Sequence, residues 1–379
     1  MESQNIGSLF ELLDCLDERG VPKSLYWKHI TRFLEFKSRR LHIPVHAIFE
    51  LTPLCNFNCG MCYVHLNDHQ FADKKLLSIN QWKQLADSAQ KAGMRSIALT
   101  GGECLTYPGF DELYTYLVSA GIKVFVMTNG YYLDERRIAL FKEYRPALIQ
   151  VSLYGSSEDA YQTVTGVRAF NRVYNNILNA RDAGLNISLA ITPSSYMRDD
   201  IEALIRLAED LGIKYGVNPQ LMPPRKETGR TKEDLSLDEY MNIYHLLKAI
   251  HHEELKTVDW SEIPEENTAG TQRYGTRCAA GKSSFGIKYD GKMCPCLSLD
   301  EITVEPLKIG FEEAWSQTIT AAEEYPLPYE CGDCVYWRRC LSCVAVHRNA
   351  PVPGHCDPIV CARMKRLVKE GFIPLKHIC

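Results

Sequence analysis

Charge surplus, long apolar runs and low-complexity segments are all missing from this chain of 379 residues. Its 43 basic and 47 acidic side chains leave a net charge of −4, so there is no cationic excess to hold nucleic acid or an anionic membrane. No apolar stretch approaches the roughly 18 residues of a membrane-spanning helix. The opening Met1-Glu2-Ser3-Gln4-Asn5 is polar and lacks the apolar segment of a signal peptide. The expected location is cytoplasmic, with neither nucleic acid nor membrane as partner. The length allows one domain of roughly 200 to 250 residues plus a smaller one.

Cysteine, by contrast, is abundant, at 15 residues. Disulfides are disfavoured in a reducing compartment, so metal is the first explanation. Cys55, Cys59 and Cys62 form one cluster, nine more fall between positions 278 and 361, and Cys15, Cys104 and Cys379 stand apart. The first cluster has the spacing Cys-x3-Cys-x2-Cys. Three thiolates at that spacing can hold a four-iron cluster and leave one iron open for chemistry. A zinc site would want a fourth fixed ligand, for which only His65 and His69 are near.

Hydrophobic periodicity divides the chain. Residues 1–44 hold one or two amphipathic helices, short for an independent peptide-binding domain. Residues 45–218 read as repeated strand–helix units, within a domain expected over 45–235. Strands are expected over Val45–Leu51, Ser96–Thr100, Ile122–Met127, Ala147–Leu153, Asn186–Ile191 and Ile213–Val217. Between the first two strands, Ser78 and Gln81 make a capping box that opens a helix with Trp82, Leu85, Ala86 and Ala89 on one face. Glycines such as Gly93, Gly121, Gly184 and Gly212 stop helices. This is an α/β pattern with a parallel sheet, curled as a partial (β/α)6 barrel of the TIM type or doubly wound. Residues 236–273 are expected to be a connecting helix and linker, and 274–379 a small cysteine-rich α+β domain with a C-terminal helix and a hairpin-like turn at Asp290-Gly291. Met222–Asp234, rich in Pro, Lys, Arg and Glu, reads as a solvated linker.

In a parallel barrel the active site lies at the C-terminal strand ends. There the chain places the cysteine loop, Thr100-Gly101-Gly102-Glu103, Thr128-Asn129-Gly130 and Ser152-Leu153-Tyr154-Gly155. Cys55, Cys59 and Cys62, followed by Tyr63, together with Gly101-Gly102-Glu103 after the second strand, resemble the radical S-adenosylmethionine (SAM) enzymes over about residues 45 to 220. The resemblance implies a [4Fe–4S] cluster with an open iron that chelates SAM, and reductive cleavage to a deoxyadenosyl radical that abstracts a substrate hydrogen. It implies cofactor contacts from Tyr63, Gly101, Gly102, Glu103, Thr128, Asn129 and Ser152. Gly101 and Gly102 would let the backbone approach the SAM amino group, and Glu103 would balance its charge. The family often has Asp two residues after the serine, where this chain has Tyr154, and Pro where it has Cys104. Cys104, Tyr131, Tyr132 and Tyr154 are expected to pack.

The remaining cysteines are Cys278, Cys294, Cys296, Cys331, Cys334, Cys340, Cys343, Cys356 and Cys361. Zinc ribbons are one explanation. The set also resembles the SPASM extension of radical SAM enzymes, which implies two auxiliary [4Fe–4S] clusters. On that resemblance Cys278, Cys296 and Cys343 serve the first, which Cys294 could complete. Cys331, Cys334, Cys340 and a late cysteine, Cys361 or Cys356, serve the second. Two clusters of four thiolates leave one of the nine spare, expected to be Cys356. His65, His347 and His355 near these cysteines are expected to be surface or packing residues.

The resemblance implies an oxidoreductase acting on a peptide or protein side chain, a ribosomal-peptide maturase forming a cross-link, with an electron donor such as flavodoxin or ferredoxin. The alternatives are an anaerobic sulfatase-type maturase and a tetrapyrrole or small-molecule enzyme, and more distantly a zinc-binding adaptor. Leu297 follows Cys296 where the sulfatase-maturing family has Asp, which argues against that branch. No residue is assigned as general base or hydrogen donor.

Overall fold

The computed structural model describes residues 22–225, 234–251, 274–334, 336, 340 and 342–372, with Leu13 and Asp17. Cys15, Cys379, the start of the N-terminal segment, the centre of the proline-rich stretch and the linker after the connecting helix lie outside these residues.

The six expected strands form as β1 (His46–Glu50), β2 (Ser96–Thr100), β3 (Lys123–Thr128), β4 (Leu148–Ser152), β5 (Ile187–Ile191) and β6 (Lys214–Val217). They pair in consecutive order and all in parallel. Consecutive order decides between the two expected architectures. Right-handed crossovers that always step the same way keep their helices on one face, which curls the sheet as a partial barrel, whereas a doubly wound sheet reverses its strand order.

The helices bury the residues their periodicity marked. Ile79–Ala92, capped by Ser78 and Gln81, covers the sheet with Trp82, Leu85, Ala86 and Ala89. Phe110–Ser119 does so with Phe110, Leu113, Tyr114 and Leu117. Phe49 of β1 meets Trp82 with ring centroids 4.8 Å apart.

The sheet does not stop at β1. Strands β7 (Ser284–Ile287) and β8 (Met293–Cys294) form a hairpin across Asp290-Gly291, and β7 pairs in parallel with β1. The cysteine-rich tail therefore continues the barrel sheet at the very strand that carries the first cysteine loop. Phe285 of β7 packs on Phe311 and Trp315 of helix Phe311–Glu323. The indole of Trp315 donates to the His42 carbonyl at 2.7 Å, which ties in the N-terminal segment. The connecting helix, Leu237–His251, receives the C-terminal helix Pro358–Lys369, whose buried Arg363 lies 4.5 Å from the Tyr240 ring. Among the described residues no helix is long and apolar enough to cross a membrane.

One stretch departs from expectation. Met222–Arg225 is not a solvated linker: Arg225 is 2 % exposed and Pro223 and Pro224 are buried. The reason is a charge partner far away in sequence, described below.

Candidate active site

The loop after β1 is fastened on several sides. Asn58 and Gly60 donate backbone N–H groups to the carbonyls of Thr165 (2.9 Å) and Val164 (3.1 Å) at the end of helix Glu158–Thr165, and Leu66 N–H returns to the Pro53 carbonyl at 3.1 Å. Phe57 packs edge-on against Tyr131 and Tyr161. Cys59 is buried and Cys55 and Cys62 are half-buried. Burial pushes the Cys55 thiol up to about 12, against the pull of the Phe57 N–H and the Asn129 amide. Those donors lie 3.4 and 3.6 Å from the Cys55 sulfur, and the His65 N–H lies 3.3 Å from that of Cys62. N–H groups aimed at sulfur suit thiolates, and they are among the means by which a protein tunes an iron–sulfur cluster. This donor set fits the cluster expected there.

Gly101 and Gly102 make close contact with this loop. A Cβ on Gly101 would stand 2.4 Å from the Thr52 oxygen, and one on Gly102 2.3 Å from that of Leu54. Without side chains the turn zips onto the loop: Gly102 N–H donates to Thr52 (2.7 Å) and Glu103 N–H to Leu54 (2.9 Å).

Glu103 points inward, at 1 % exposure. Its carboxylate accepts from Thr128 Oγ1 (2.8 Å), Leu105 N–H (3.0 Å) and Asn129 N–H (2.7 Å). Burial pushes this carboxyl up, and the donors hold it part of the way back. Glu103 is thus a brace between the ends of β2 and β3 rather than a free charge on the rim. Asn129 extends the brace, its side-chain amide donating to Asn56 Oδ1 at 2.8 Å as well as facing Cys55. Every partner of the carboxylate is a donor, so Glu103→Gln must turn an NH2 group onto one of them. The expected cost is about 1–3 kcal/mol, read as a lowered urea midpoint with iron retained; an unchanged midpoint would show that the brace carries no stability.

Ser152 ends β4 and its side chain faces the Tyr154 phenol. Tyr154 faces the three loop cysteines, and burial first, then Cys59, hold its phenol well above its ordinary range. The tyrosine that replaces the family's Asp is thereby part of the cysteine-loop wall. Cys104 packs as expected, fully buried with its thiol 3.2 Å from the Met127 carbonyl. The Tyr63 carbonyl accepts from Arg225 N–H at 3.1 Å, and its ring lies 6.0 Å from the Arg225 guanidinium.

The tail cysteines fall into two neighbourhoods. Burial pushes the Cys343 thiol up to about 11, with Cys296 and Cys278 close enough to add to the effect. Ser298 N–H lies 3.5 Å from the Cys296 sulfur. Cys294 is fully buried in β8, its thiol directed at the Gly286 carbonyl at 3.6 Å. In the second neighbourhood the Cys331 and Cys356 sulfurs are 3.9 Å apart, and Cys334 feels Cys340, Cys361 and Cys356. Cys356, expected to be spare, stands inside this group. Among the described residues no three His, Cys, Asp or Glu side chains converge as on a single ion; a four-iron cluster spreads its thiolates over separate corners. His347 accepts from Asp357 N–H at 3.0 Å and His355 meets Glu330 at 2.7 Å, both local structural contacts.

A buried charge assembly was not anticipated. Glu50, the last residue of β1, takes a two-point contact from Arg225 at 2.9 and 2.5 Å. Arg225 also faces Asp300 (3.4 Å), which meets Arg348 (2.6 Å) and Lys288 (3.8 Å). Burial works against the Arg225 charge, but Glu50 more than offsets it. The available signal was an acid inside an otherwise apolar strand, Ala47-Ile48-Phe49-Glu50-Leu51, which demands a partner.

A parallel partial barrel with a three-cysteine loop at its C-terminal rim defines a class of cluster-dependent proteins. Residues 49–215 match the Radical SAM superfamily, and a cysteine-rich region follows them. The chain is 24% identical over 275 residues to the antilisterial bacteriocin subtilosin biosynthesis protein AlbA of Bacillus subtilis, covering 68% of this chain and 56% of AlbA. It is 24% identical over 296 residues to the sporulation killing factor maturation protein SkfB of the same organism, covering 77% of this chain and 69% of SkfB. The match thus spans little more than half of AlbA's length. In fold it is similar to Streptococcus suis SuiB bound to the precursor peptide SuiA, with a TM-score of 0.65 at 16% identity over 88% of this chain and 80% of SuiB.

Proposed function

We propose that the protein is a radical SAM enzyme that oxidatively modifies a peptide side chain, as a ribosomal-peptide maturase that forms a cross-link. The observation that carries this reading is that Tyr63, next to Cys62, feels the charge of Cys296 from the tail as well as that of Cys62, in a chain whose tail strand β7 pairs with β1. The names of AlbA and SkfB, and the peptide bound to SuiB, support the substrate class.

Bound to Cys55, Cys59 and Cys62, the cluster and SAM supply one-electron cleavage of a carbon–sulfur bond and hence a hydrogen-abstracting radical. The chain's own residues do the rest. Thr52–Leu54 and Gly101–Glu103 lock together and fix the loop, Asn129 orients Cys55, and Tyr154 with Ser152 closes the wall. Buried Phe57, Val64 and Leu66 keep water from the loop. Cys278, Cys296 and Cys343 belong to one auxiliary cluster, and Cys331, Cys334 and Cys340 with Cys356 or Cys361 to a second. A flavodoxin or ferredoxin would supply electrons.

The test is anaerobic co-expression with any small open reading frame beside the gene, followed by mass spectrometry. The expected result is a peptide lighter by two hydrogens, absent with a Cys55→Ala partner. An unmodified peptide while SAM cleavage persists would overturn the peptide reading and favour a small-molecule substrate.

A further inference from the structure

Arg225 stands between two sets of cysteines, bonded to the residue that follows one cysteine of each. Its N–H donates to the carbonyl of Tyr63, one residue past Cys62, at 3.1 Å. Its Nη2 donates to the carbonyl of Leu297, one residue past Cys296, at 3.3 Å. The side chain is 1 % exposed, as fully enclosed as its partner Glu50 at 0 %.

We propose that Arg225 sets the reduction potential of the auxiliary cluster that Cys296 ligates, and that Glu50 is the positioning residue that holds it there. The inference rests on the reading of Cys278, Cys296 and Cys343 as cluster ligands. A guanidinium does not lose its proton in a protein, so its charge is permanent. In a dry interior a fixed cation acts strongly, and it favours the more negative, reduced state of a neighbouring cluster. Cluster potentials respond to charge and hydrogen bonding around the sulfurs in this way.

Stability is a weak explanation for the arrangement. Burying such a pair is costly, and well-packed apolar residues often do as well or better. The structure nonetheless surrounds Arg225 with Glu50 from the first strand, Asp300 from the tail and backbone carbonyls from both cysteine segments. Glu50 fixes the guanidinium by two bonds, which places the charge rather than merely neutralising it.

The test uses the full chain with Cys55, Cys59 and Cys62 replaced by alanine, reconstituted anaerobically, so that only auxiliary clusters remain. Reductive titration with dithionite, followed by electron paramagnetic resonance, gives their midpoints. Arg225→Gln combined with Glu50→Gln removes both charges, of which Arg225 is the one that bonds the Leu297 carbonyl beside Cys296 and acts on that thiol, and one auxiliary midpoint is expected to shift downward. Glu50→Gln alone removes an anion and leaves the cation, and the same midpoint is expected to shift upward. Opposite signs are what a charge effect requires; altered packing would not produce them.

No shift in either variant, or shifts of one sign, would overturn the proposal while leaving the ligand reading intact. If the double variant does not accumulate, Glu50→Gln decides alone: an upward shift supports the proposal, and an unchanged or downward midpoint overturns it. A parent protein without iron would overturn the ligand reading, and the inference with it.

Discussion

Alanine at Cys55, Cys59 or Cys62 is expected to remove about four irons per chain and to abolish SAM cleavage, while the tail keeps its iron. The effect should exceed the roughly 10–100-fold loss that follows removal of an outer-shell partner from a metal site. On this reading the three thiolates are the whole protein contribution to the cluster, and backbone N–H groups of Phe57 and His65 face the sulfurs of Cys55 and Cys62. The loop is pinned to helix Glu158–Thr165 through Asn58 and Gly60 and zipped to Gly102 and Glu103, which fixes its path at the strand end. Cys104 provides the contrast. It lies near the same rim, yet its thiol bonds the Met127 carbonyl inside the core. Cys104→Ala should therefore keep both iron and SAM cleavage. Iron analysis with a deoxyadenosine assay checks both statements. A triad variant that keeps full iron and cleavage would refute the assignment of the loop.

Arg225→Ala is expected to be the most destabilising single change at the junction of barrel and tail, at about 3–5 kcal/mol. The loss of the bonds is only part of the cost. The larger part is Glu50, left at 0 % exposure at the end of a central strand without its cation. The carboxylate must then be buried unpaired or take up a proton. Asp300 loses a partner in the same step but keeps Arg348 at 2.6 Å, and it lies nearer solvent. Glu50 therefore decides the magnitude. A urea titration of the reconstituted protein should show a clear loss, and Glu50→Gln added to Arg225→Gln should recover much of it, because the neutral pair leaves no charge stranded. Equal stability of Arg225→Ala and the parent would show that the pair is not the link between the two parts.

Local signals carried a large part of this structure. Ser78 and Gln81 marked a helix start, the apolar stripe through Trp82, Leu85, Ala86 and Ala89 marked its buried face, and Ser96–Thr100 was delimited to the residue as a strand. Such features depend on residues a few positions apart, and the interactions that create them have the same range. The cysteine spacing and the Gly-Gly-Glu turn were legible for the same reason. Their reasons were less so. The glycines answer to the Thr52 and Leu54 carbonyls, and Glu103 answers to Thr128 and Asn129. Both are contacts between strand ends that only the stacking of parallel strands creates.

The misreading of Met222–Arg225 has the same origin. Prolines and charges in a row are the composition of a solvated linker, and composition contains no information about Glu50, 175 residues earlier. A charged residue is buried or exposed according to whether a partner waits for it, and that is a tertiary fact. The grouping of the tail cysteines is similar. The sequence supplied nine thiols, and the fold set Cys356 beside Cys331 and turned Cys294 toward a backbone carbonyl in the core.

The sequence by itself thus determined the alternating strands and helices, the cysteine loop at a strand end and the chemistry three thiolates permit. Each follows from short-range periodicity and spacing. Tertiary structure alone decided that the tail extends the barrel sheet through β7, that the Gly-Gly-Glu turn braces the cysteine loop, and that a buried cation lies between the two sets of cysteines. Those outcomes depend on which distant segments share one interior, where the low dielectric makes every charge and every unpaired polar group answer to its neighbours.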